Sequence, residues 1–418
     1  MPALRVLISG GGIAGPTLAH SLLRLGHSVT ILERSPSLRA TGQQVDIREQ
    51  AITAATRLGL ISALRDIIVH EAGLQFVDEK GKQIALFQGG GQERLSPSAE
   101  FELMRGDIAK MLWEKTKGRA EWRFGAMVEG WEEVGEGVQV KMSDGREESY
   151  DLLVAADGQN SRIRKMMLDR AGVQDHTKSL GVLGGYFSVP REASDPSMAS
   201  VYQAVGGHVY STRWHSETTS QGYLLTMSKD KDFRRVMAEG TTEEKKEVLA
   251  KMFADRGWQS NRLVEAMRAT DDFYAAECIQ VMSDKWSSGR VVLLGDAGYC
   301  PSPLTGMGTS LAFIGSYVLA GEIGRADQSQ PRDLRLALEG YEAKLRGFVE
   351  QVHKLPPGVP RVAYPETKLG IWFSRSIVGL ASKLQADKIA SRLLPTSRNP
   401  WELPKYPDLD AEQTVAEQ

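Results

Sequence analysis

Residues 4–33 read LRVLISGGGIAGPTLAHSLLRLGHSVTILE. An apolar run at 4–9 leads into a glycine-rich turn, an apolar helix pattern covers 16–25, and a second apolar run covers 28–33. A strand, a helix and a second strand in that order predict a βαβ unit, because parallel neighbouring strands need a crossover connection of this kind. The stretch therefore places the N-terminal part of the chain in the α/β class.

The turn between the first strand and the helix has the spacing of a dinucleotide-binding site. Gly10 permits a tight turn, Gly12 lets a pyrophosphate approach the backbone, and Gly15 allows the helix to pack on the strand. Glu33 ends the second strand, where it can accept hydrogen bonds from a ribose, which favours FAD or NAD over NADP. A turn without a ligand is the weaker interpretation because all four elements coincide. The candidate contacts are Gly10, Gly12, Ile13, Ala14, Gly15, Glu33 and Arg34, with a solvated strand end as an equal alternative for the arginine.

A second stretch, residues 290–312, reads RVVLLGDAGYCPSPLTGMGTSLA. A buried strand ends in a Gly-Asp pair, a proline-containing loop follows, and two glycines lead into an apolar helix. Free N–H groups and the positive end of the helix dipole favour an anionic group there, and the glycines let that group approach the backbone. The candidate binding residues are Gly295, Asp296, Pro303, Gly306, Gly308 and Thr309.

Three other segments lie where such a fold brings loops near a cofactor. An Asp-Gly pair at 157–158 follows a buried strand, although in isolation such a pair is an ordinary turn. The loop at 40–48 follows the second strand of the βαβ unit, and an arginine stands just before the helix body predicted after residue 105. For the loop and the arginine, plain surface remains the alternative. The candidate residues are Val45, Asp46, Arg48, Arg105 and Asp157.

Composition bounds the remaining possibilities. A chain of 418 residues that is 41% hydrophobic has room for two or three domains. Its net charge of −2 gives no reason to expect nucleic acid or an anionic membrane as a partner, and its N-terminus lacks a signal-peptide pattern. The two cysteines are too few for a disulfide framework, and neither they nor the histidines have the spacing of metal ligands. No apolar run is long enough to span a bilayer. We therefore expect a cytoplasmic protein without a metal or a membrane span.

The motifs together resemble one family. The Gly10–Gly15 turn with Glu33, the pair at 157–158 and the stretch from Gly295 stand in the order found in the single-component, FAD-dependent aromatic hydroxylases. These are the group A flavoprotein monooxygenases with the p-hydroxybenzoate hydroxylase fold, and within them the chain is most similar to the tetracycline-modifying and polyketide-tailoring branch. The resemblance covers about residues 1–350, whereas NAD dehydrogenases carry only the first motif. One position departs, because the family's common Gly-Asp-Ala-Ala-His ends in Tyr299 here.

The resemblance implies a Rossmann-like FAD-binding domain of the GR2 type with an inserted, mainly antiparallel substrate-binding sheet and C-terminal helices. Alternating apolar residues between 176 and 282 also predict that sheet. We expect a β-meander over 122–142, an amphipathic helix over 371–394 and a loosely held tail beyond Pro395. The expected domain bounds are 1–72, 101–175 and 283–345 for FAD binding, 73–100 and 176–282 for substrate binding, and 346–418 for the C-terminal helices and tail.

The resemblance also implies roles for individual residues. Gly295-Asp296 would contact the ribityl chain and pyrophosphate of FAD, and Asp157-Gly158 would serve both FAD and NAD(P)H. Arg105 falls where the family has a flavin-contacting arginine, and Asp46 and Arg48 lie on the loop that flanks the isoalloxazine.

The reaction implied by the resemblance is an oxygen insertion. NADH or NADPH would reduce FAD, O2 would add at flavin C4a, and the resulting hydroperoxide would hydroxylate, epoxidise or carry out a Baeyer–Villiger oxidation of an aromatic or polyketide-like small molecule. The flavin carries this chemistry, so no catalytic acid or base is assigned. A flavin reductase or dehydrogenase and a non-catalytic FAD-binding protein are the alternatives, and the chain would act as a monomer or homodimer. The candidates on the substrate side are Tyr186, Tyr202, Arg213 and Trp214.

Overall fold

The computed structural model describes residues 3–39, 42–88, 101–326, 331–384 and 401–410. Its elements follow one another along the chain in four groups. The first group is β1 (Arg5–Ser9), α1 (Ala14–Arg24), β2 (Ser28–Glu33), β3 (Gln44–Ile47), α2 (Gln50–Arg57), α3 (Ile61–Arg65), β4 (Gly73–Val77), β5 (Gln83–Gln88), β6 (Phe101–Met104) and α4 (Arg105–Thr116). The second group is β7 (Glu121–Phe124), β8 (Val128–Val134), β9 (Gly137–Met142), β10 (Glu147–Tyr150), β11 (Leu152–Ala155) and α5 (Arg162–Ala171).

The remaining two groups contain the larger sheet and the C-terminal helices. The third group is β12 (Thr177–Pro190), β13 (Ala199–Ala204), β14 (His208–Trp214), β15 (Thr219–Thr226), α6 (Lys231–Glu239), α7 (Thr242–Phe253), α8 (Ser260–Ala269) and β16 (Phe273–Val281). The fourth group is β17 (Ser287–Ser288), β18 (Val291–Leu293), α9 (Asp296–Tyr299), a 3-10 turn (Pro303–Thr305), α10 (Gly308–Arg325), α11 (Pro331–Val352) and α12 (Lys368–Lys383).

The first sheet carries the sequence motifs at one edge. Its strand order is β17-β18-β11-β1-β2-β7, and every pair except the β17–β18 edge is parallel. The predicted βαβ unit is confirmed, with α1 beginning at Ala14 inside the glycine turn. Since the carboxyl ends of parallel strands point the same way, the turns at Gly10, Asp157 and Gly295 meet at that edge.

Both faces of this sheet are buried, as parallel sheets require. Val6 and Ile8 pack toward α1, α10 and α11, whereas Leu7 and Leu153 pack toward α5 and a small sheet of β8, β9 and β10. The predicted meander is correct for that small sheet but wrong for the segment at 121–124. That segment is β7, which joins β2 in parallel because α4 carries the chain across the sheet before it.

The second sheet is mainly antiparallel, as predicted. Its order is β16-β12-β15-β14-β13-β4-β5, and only the β13–β4 pair is parallel. One face packs against α6, α7 and α8 through residues that include Phe187 and Tyr210. The other face meets Leu304 of the 3-10 turn and Tyr364. This second face of the sheet is therefore the one that lies nearer the motifs of the first sheet.

The C-terminal part differs from expectation in its tail and in the start of its last helix. Residue 345, where a domain bound was expected, lies inside α11. The expectation of a loosely held tail is wrong for residues 401–410, because Leu403, Tyr406 and Leu409 are at most 8% exposed and pack on the α10–α11 core. The predicted helix at 371–394 begins earlier, at Lys368, and its residues 385–394 lie outside the described part of the chain. None of the described helices combines the length and apolarity that a membrane span needs.

Candidate functional site

Of the three motif glycines in the turn after β1, one leaves open space for a ligand. A Cβ at Gly10 would overlap the Ala156 carbonyl, and a Cβ at Gly15 would overlap the Gly10 carbonyl, so the backbone itself requires these two glycines. A Cβ at Gly12 would meet nothing nearer than Nη2 of Arg105, 3.9 Å away. Gly12 therefore forms a cradle that a ligand can approach, with Ile13 and Ala14 leading from it into α1.

Glu33 is held beside that turn. Its Oε2 accepts a hydrogen bond of 2.9 Å from the Gly11 N–H, and its Oε1 accepts one of 2.8 Å from the Ser35 N–H. Each carboxylate oxygen can accept a further hydrogen bond, so Glu33 retains capacity for ribose hydroxyls. The neighbouring Arg34 is exposed at the strand end.

The second motif packs directly on the first. A Cβ at Gly295, whose φ is +62°, would lie 3.0 Å from the Cβ of Ala14. Within α9, Ala297 and Tyr299 are buried to 1% exposure or less, whereas Asp296 is exposed. Desolvation nevertheless raises the pKa of the Asp296 carboxyl, and the nearby Arg105 opposes the rise. Solvent can reach the Asp296 carboxylate, yet the surrounding protein leaves its charge poorly solvated. This combination is expected on the wall of a deep cleft.

The start of α10 and strand β3 form the opposite wall. A Cβ at Gly308 would lie 3.8 Å from Oδ1 of Asp296, and one at Gly306 would lie 3.6 Å from Oδ2 of Asp46. The Arg48 guanidinium pairs with that same Oδ2 at 2.7 Å. In this wall Thr309 is buried, whereas Pro303 is exposed and Val45 is half-buried beside the core.

Two carboxylate oxygens in this region have no hydrogen-bond partner among the described residues. They are Oδ1 of Asp46 and Oδ1 of Asp157, and both are buried. The other oxygen of Asp157 accepts from the Arg162 N–H at 3.1 Å, and desolvation raises the pKa of this carboxyl. Because a buried acceptor without a donor is costly, these atoms fit a ligand that brings hydrogen-bond donors. The glycine turn, α9, β3, α4 and the start of α10 thus bring candidate cofactor residues from separate parts of the chain close together.

Arg105 joins the two halves of the cleft. It is the first residue of α4, is exposed, and its N–H donates a 3.1 Å hydrogen bond to the carbonyl of Gln43. Its side chain reaches toward Gly12 and also influences the carboxyl of Asp296. This position between turn and carboxylate suits a contact with an anionic cofactor.

A row of three tyrosines lines the second sheet where it faces residues 43 and 44. Tyr186 lies between Tyr223 and Tyr274, with ring centroids 5.0 and 4.9 Å apart. The Tyr274 hydroxyl donates to Oε1 of Gln43, and the Gln44 N–H donates to the Tyr223 oxygen at 3.2 Å. Burial raises the pKa of Tyr223 to about 12. Sequence reasoning identified only Tyr186, since finding its neighbours requires the strand register.

The other substrate-side candidates have different surroundings. Arg213 lies on the same sheet face as Tyr186, where it pairs with Glu71 at 2.5 Å and Glu102 at 2.6 Å. Tyr202 and Trp214 lie on the opposite face, because side chains alternate along a strand. The Tyr202 hydroxyl donates to the Arg256 carbonyl at 2.7 Å. The structure therefore brings Tyr186 and Arg213 to the side of the cleft, and it does not bring Tyr202 and Trp214 there.

Tyr299, at the position of the sequence departure, belongs to the core. Its hydroxyl lies 2.7 Å from that of Tyr341, which in turn donates to the Leu293 carbonyl at 3.2 Å. The Trp286 ring packs 4.5 Å from the Tyr299 ring. Burial raises the pKa of Tyr299, which keeps its hydroxyl protonated. Among the described residues, no group of three or more His, Cys, Asp or Glu side chains is placed to hold a metal.

Comparison with known proteins points in one direction. A family model for an FAD binding domain matches residues 3–354. The FAD-dependent monooxygenase asL4 of Sarocladium schorii is 36% identical over 432 residues, covering 98% of this chain and 99% of that protein. The flavin-dependent monooxygenase eupH of Phoma sp is 35% identical, covering 98% of each. The crystal structure of the tetracycline destructase Tet(51) superposes with a TM-score of 0.78 at 27% identity, covering 97% of this chain and 100% of its own.

Proposed function

Because the chain belongs to the FAD-dependent monooxygenases that share this FAD binding domain, we propose that it uses NADPH or NADH, together with O2, to oxygenate a small molecule. The substrate we propose is aromatic or polyketide-like, and one oxygen atom of O2 enters it by hydroxylation, epoxidation or Baeyer–Villiger insertion. When bound, FAD supplies the redox chemistry, and the protein supplies position, electrostatics and exclusion of water.

One observation supports this proposal most. The cofactor cleft and the tyrosine row share a wall at Gln43 and Gln44. The Gln43 carbonyl accepts a hydrogen bond from the Arg105 N–H on the cleft side. The Gln43 side chain accepts one from the Tyr274 hydroxyl on the sheet side. We infer that a flat substrate held beside the tyrosine row at this border would contact the cofactor, because oxygen transfer requires the reacting atoms to lie within about 3.5 Å of each other.

The cleft residues would divide the binding of FAD among them. We assign the ribose hydroxyls to Glu33 and the pyrophosphate to the Gly12 backbone. Asp296 would orient the ribityl chain, and the unpartnered oxygens of Asp46 and Asp157 would accept hydrogen bonds from the cofactor. These buried acceptors need donors, which the hydroxyl groups of a dinucleotide provide.

The N-terminus of α10 would supply the electrostatic part. This helix spans Gly308–Arg325 and begins next to Asp296 and Asp46. The positive end of its dipole would stabilise negative charge on the pyrimidine edge of the flavin ring. Arg105 would add a full positive charge on the other side of the cleft.

The tyrosine row would receive the substrate. Offset or edge-to-face contacts with aromatic rings favour flat, unsaturated molecules over flexible aliphatic ones. The Tyr223 oxygen already accepts from the Gln44 N–H, so its own proton is available to point elsewhere, and with a raised pKa it would act as a hydrogen-bond donor. Similarity to a tetracycline destructase along 97% of the chain supports a polycyclic substrate. We further propose that the second sheet is the substrate-binding domain, within the bounds expected from the sequence.

The experiment is a screen on the purified, FAD-loaded chain. Aromatic and polyketide-like compounds are tested for stimulation of aerobic NADPH and NADH oxidation, and products are examined by mass spectrometry. We expect stimulation by a subset of polycyclic aromatic compounds, with product masses raised by one oxygen atom. Stimulated oxidation without an oxygenated product would assign the chain to the reductases, and FAD binding without any stimulation would leave it a non-catalytic flavoprotein.

A further inference from the structure

Helix α12 presents an apolar stripe to solvent. Its sequence predicts an amphipathic helix, and such helices ordinarily bury their apolar side. Here the buried side contains Ile371 and Ser374, and Arg375 on that side donates a 3.0 Å hydrogen bond to the Gln203 carbonyl. The exposed apolar residues recur every three or four positions and are 45–74% accessible. This α12 stripe consists of Leu369, Trp372, Phe373, Ile377, Leu380 and Leu384.

A stripe of this extent indicates an interaction surface. Single exposed apolar residues are common on proteins, but six along one helix face form a continuous patch. Leu369, Phe373, Ile377, Leu380 and Leu384 fall within one narrow arc of the helix, and Trp372 flanks that arc. Burial on a partner would remove this apolar area from water.

The charges carried by α12 itself favour one kind of partner. α12 contains Lys368, Arg375 and Lys383 and no acidic residue. The two lysines stand at opposite ends of the helix and are exposed. Aromatic and leucine side chains between flanking cations are the pattern of a helix that lies in a bilayer interface and contacts anionic headgroups.

A second copy of the chain fits the stripe less well. Two α12 helices packed antiparallel would bring Lys368 of each copy close to Lys383 of the other. A parallel arrangement would set each lysine against itself. Since α12 has no acid to offset this repulsion, self-association through the stripe is disfavoured.

We propose that the α12 stripe docks the protein on a membrane surface that contains anionic lipid, with the helix axis parallel to the bilayer. This contact is peripheral and needs no membrane-spanning helix. The overall charge of −2 gave no reason to expect it, because the cations are local to α12. The inference does not depend on the proposed oxygenation, since binding is measured without turnover.

The test uses the full FAD-loaded chain and two kinds of vesicle. One contains phosphatidylcholine alone, and the other contains phosphatidylcholine with phosphatidylglycerol. We expect cosedimentation with the anionic vesicles about tenfold stronger than with the neutral ones, and weaker binding at high salt. Absence of binding to both vesicles at low ionic strength would overturn the proposal.

Matched variants test whether vesicle binding depends on the α12 stripe or on nonspecific adsorption of the protein. Leu380→Ser and Phe373→Ser should reduce vesicle binding severalfold. Leu336→Ser, which alters a leucine of similar exposure on α11, should leave it unchanged, with flavin content serving as the check of folding in all three variants. Lys368→Glu combined with Lys383→Glu should abolish the preference for anionic vesicles. A concentration-dependent dimer that Phe373→Ser disrupts, without vesicle binding by the parent chain, would instead assign the stripe to a second copy.

Discussion

The Arg48 N–H donates a hydrogen bond of 3.0 Å to Oγ of Ser310. This bond joins the end of β3 to the first turn of α10, two segments that are 262 residues apart in sequence. It ties β3, the strand that occupies part of the loop expected at 40–48 and carries Asp46, to the helix that begins at Gly308. Two parts of the cofactor cleft are thus joined by a contact across the fold.

Substitutions at Gly12 and Gly15 should have different effects. Gly12→Ala places a methyl group in the open cradle, so we expect the stability of the FAD-free protein to be preserved and the Kd for FAD to rise about tenfold, equal to about 1.4 kcal/mol. Gly15→Ala forces a methyl group onto the Gly10 carbonyl and should lower the free energy of unfolding by about 2 kcal/mol or more. Urea unfolding of the FAD-free variants and FAD titration check this. Equal loss of stability in both would contradict the open cradle.

The buried carboxyl of Glu102 should make stability depend on pH. Burial raises its pKa from 4.5 to about 8. The folded chain therefore holds a proton that the unfolded chain releases, and stability should fall as pH rises from about 4.5 to about 8, by at most about 1.4 kcal/mol per pH unit. Glu102→Gln, which stays neutral, should remove this contribution and should be more stable than the parent chain at about pH 8. Urea unfolding across this pH range provides the measurement.

The surroundings of Glu102 are consistent with a held proton. Its Oε1 accepts from Arg213, and its Oε2 lies 3.2 Å from the amide nitrogen of Gln44. The Oε1 of Gln44 is buried without a partner among the described residues. Rotation of this amide would let its Oε1 accept a hydrogen bond from the protonated Glu102 carboxyl. An identical pH dependence in Glu102→Gln and the parent chain would rule out this carboxyl as the source.

The pair of Tyr299 and Tyr341 should contribute to stability and not to flavin chemistry. Tyr299→Phe removes one hydroxyl of a fully buried pair, so we expect a loss of about 1–2 kcal/mol in the free energy of unfolding, with FAD content and the flavin spectrum unchanged. Combining it with Tyr341→Phe should cost less than the sum of the single changes, because both remove the same bond. A strongly altered flavin spectrum in Tyr299→Phe would instead place Tyr299 at the cofactor.

The tyrosine row should determine substrate binding. Tyr186→Leu removes the central ring and its two neighbouring contacts, so KM for an aromatic substrate should rise about tenfold while FAD content stays constant. Tyr202→Phe serves as the control, because Tyr202 lies on the opposite face of the sheet and packs against Tyr210. A larger effect at Tyr202 than at Tyr186 would contradict the assignment of the substrate side.

Most residues of the cofactor cleft could be predicted from the sequence, because the backbone turns and close approaches that need them involve residues near one another in the chain. The glycines at 10, 12 and 15 and the Gly-Asp pair at 295–296 are needed for turns and close approaches within a few residues, so their spacing predicts them. The substrate side could not be predicted in this way. Arg213 meets Glu71 and Glu102 across 142 and 111 residues, and the tyrosine row exists only once β15, β12 and β16 are in register.

The spacing of apolar residues near the C-terminus also does not predict which of those side chains face the core. The spacing of apolar residues in α12 predicts a helix, but it does not say whether the apolar side faces the core or solvent. The tail shows the reverse case, since Leu403, Tyr406 and Leu409 are spaced three residues apart in a polar, proline-containing segment and still insert beside α10 and α11. Both outcomes depend on which surfaces the rest of the fold leaves open.

Oxygen transfer is the central claim, and isotope labelling tests it most directly. The FAD-loaded chain is given NADPH, a compound that stimulates its oxidation, and oxygen-18 gas, and the product is weighed by mass spectrometry. We predict a product that carries a single labelled oxygen atom derived from the gas. NADPH consumption that yields only reduced oxygen species, with no label in any organic product, would contradict the assignment as a monooxygenase.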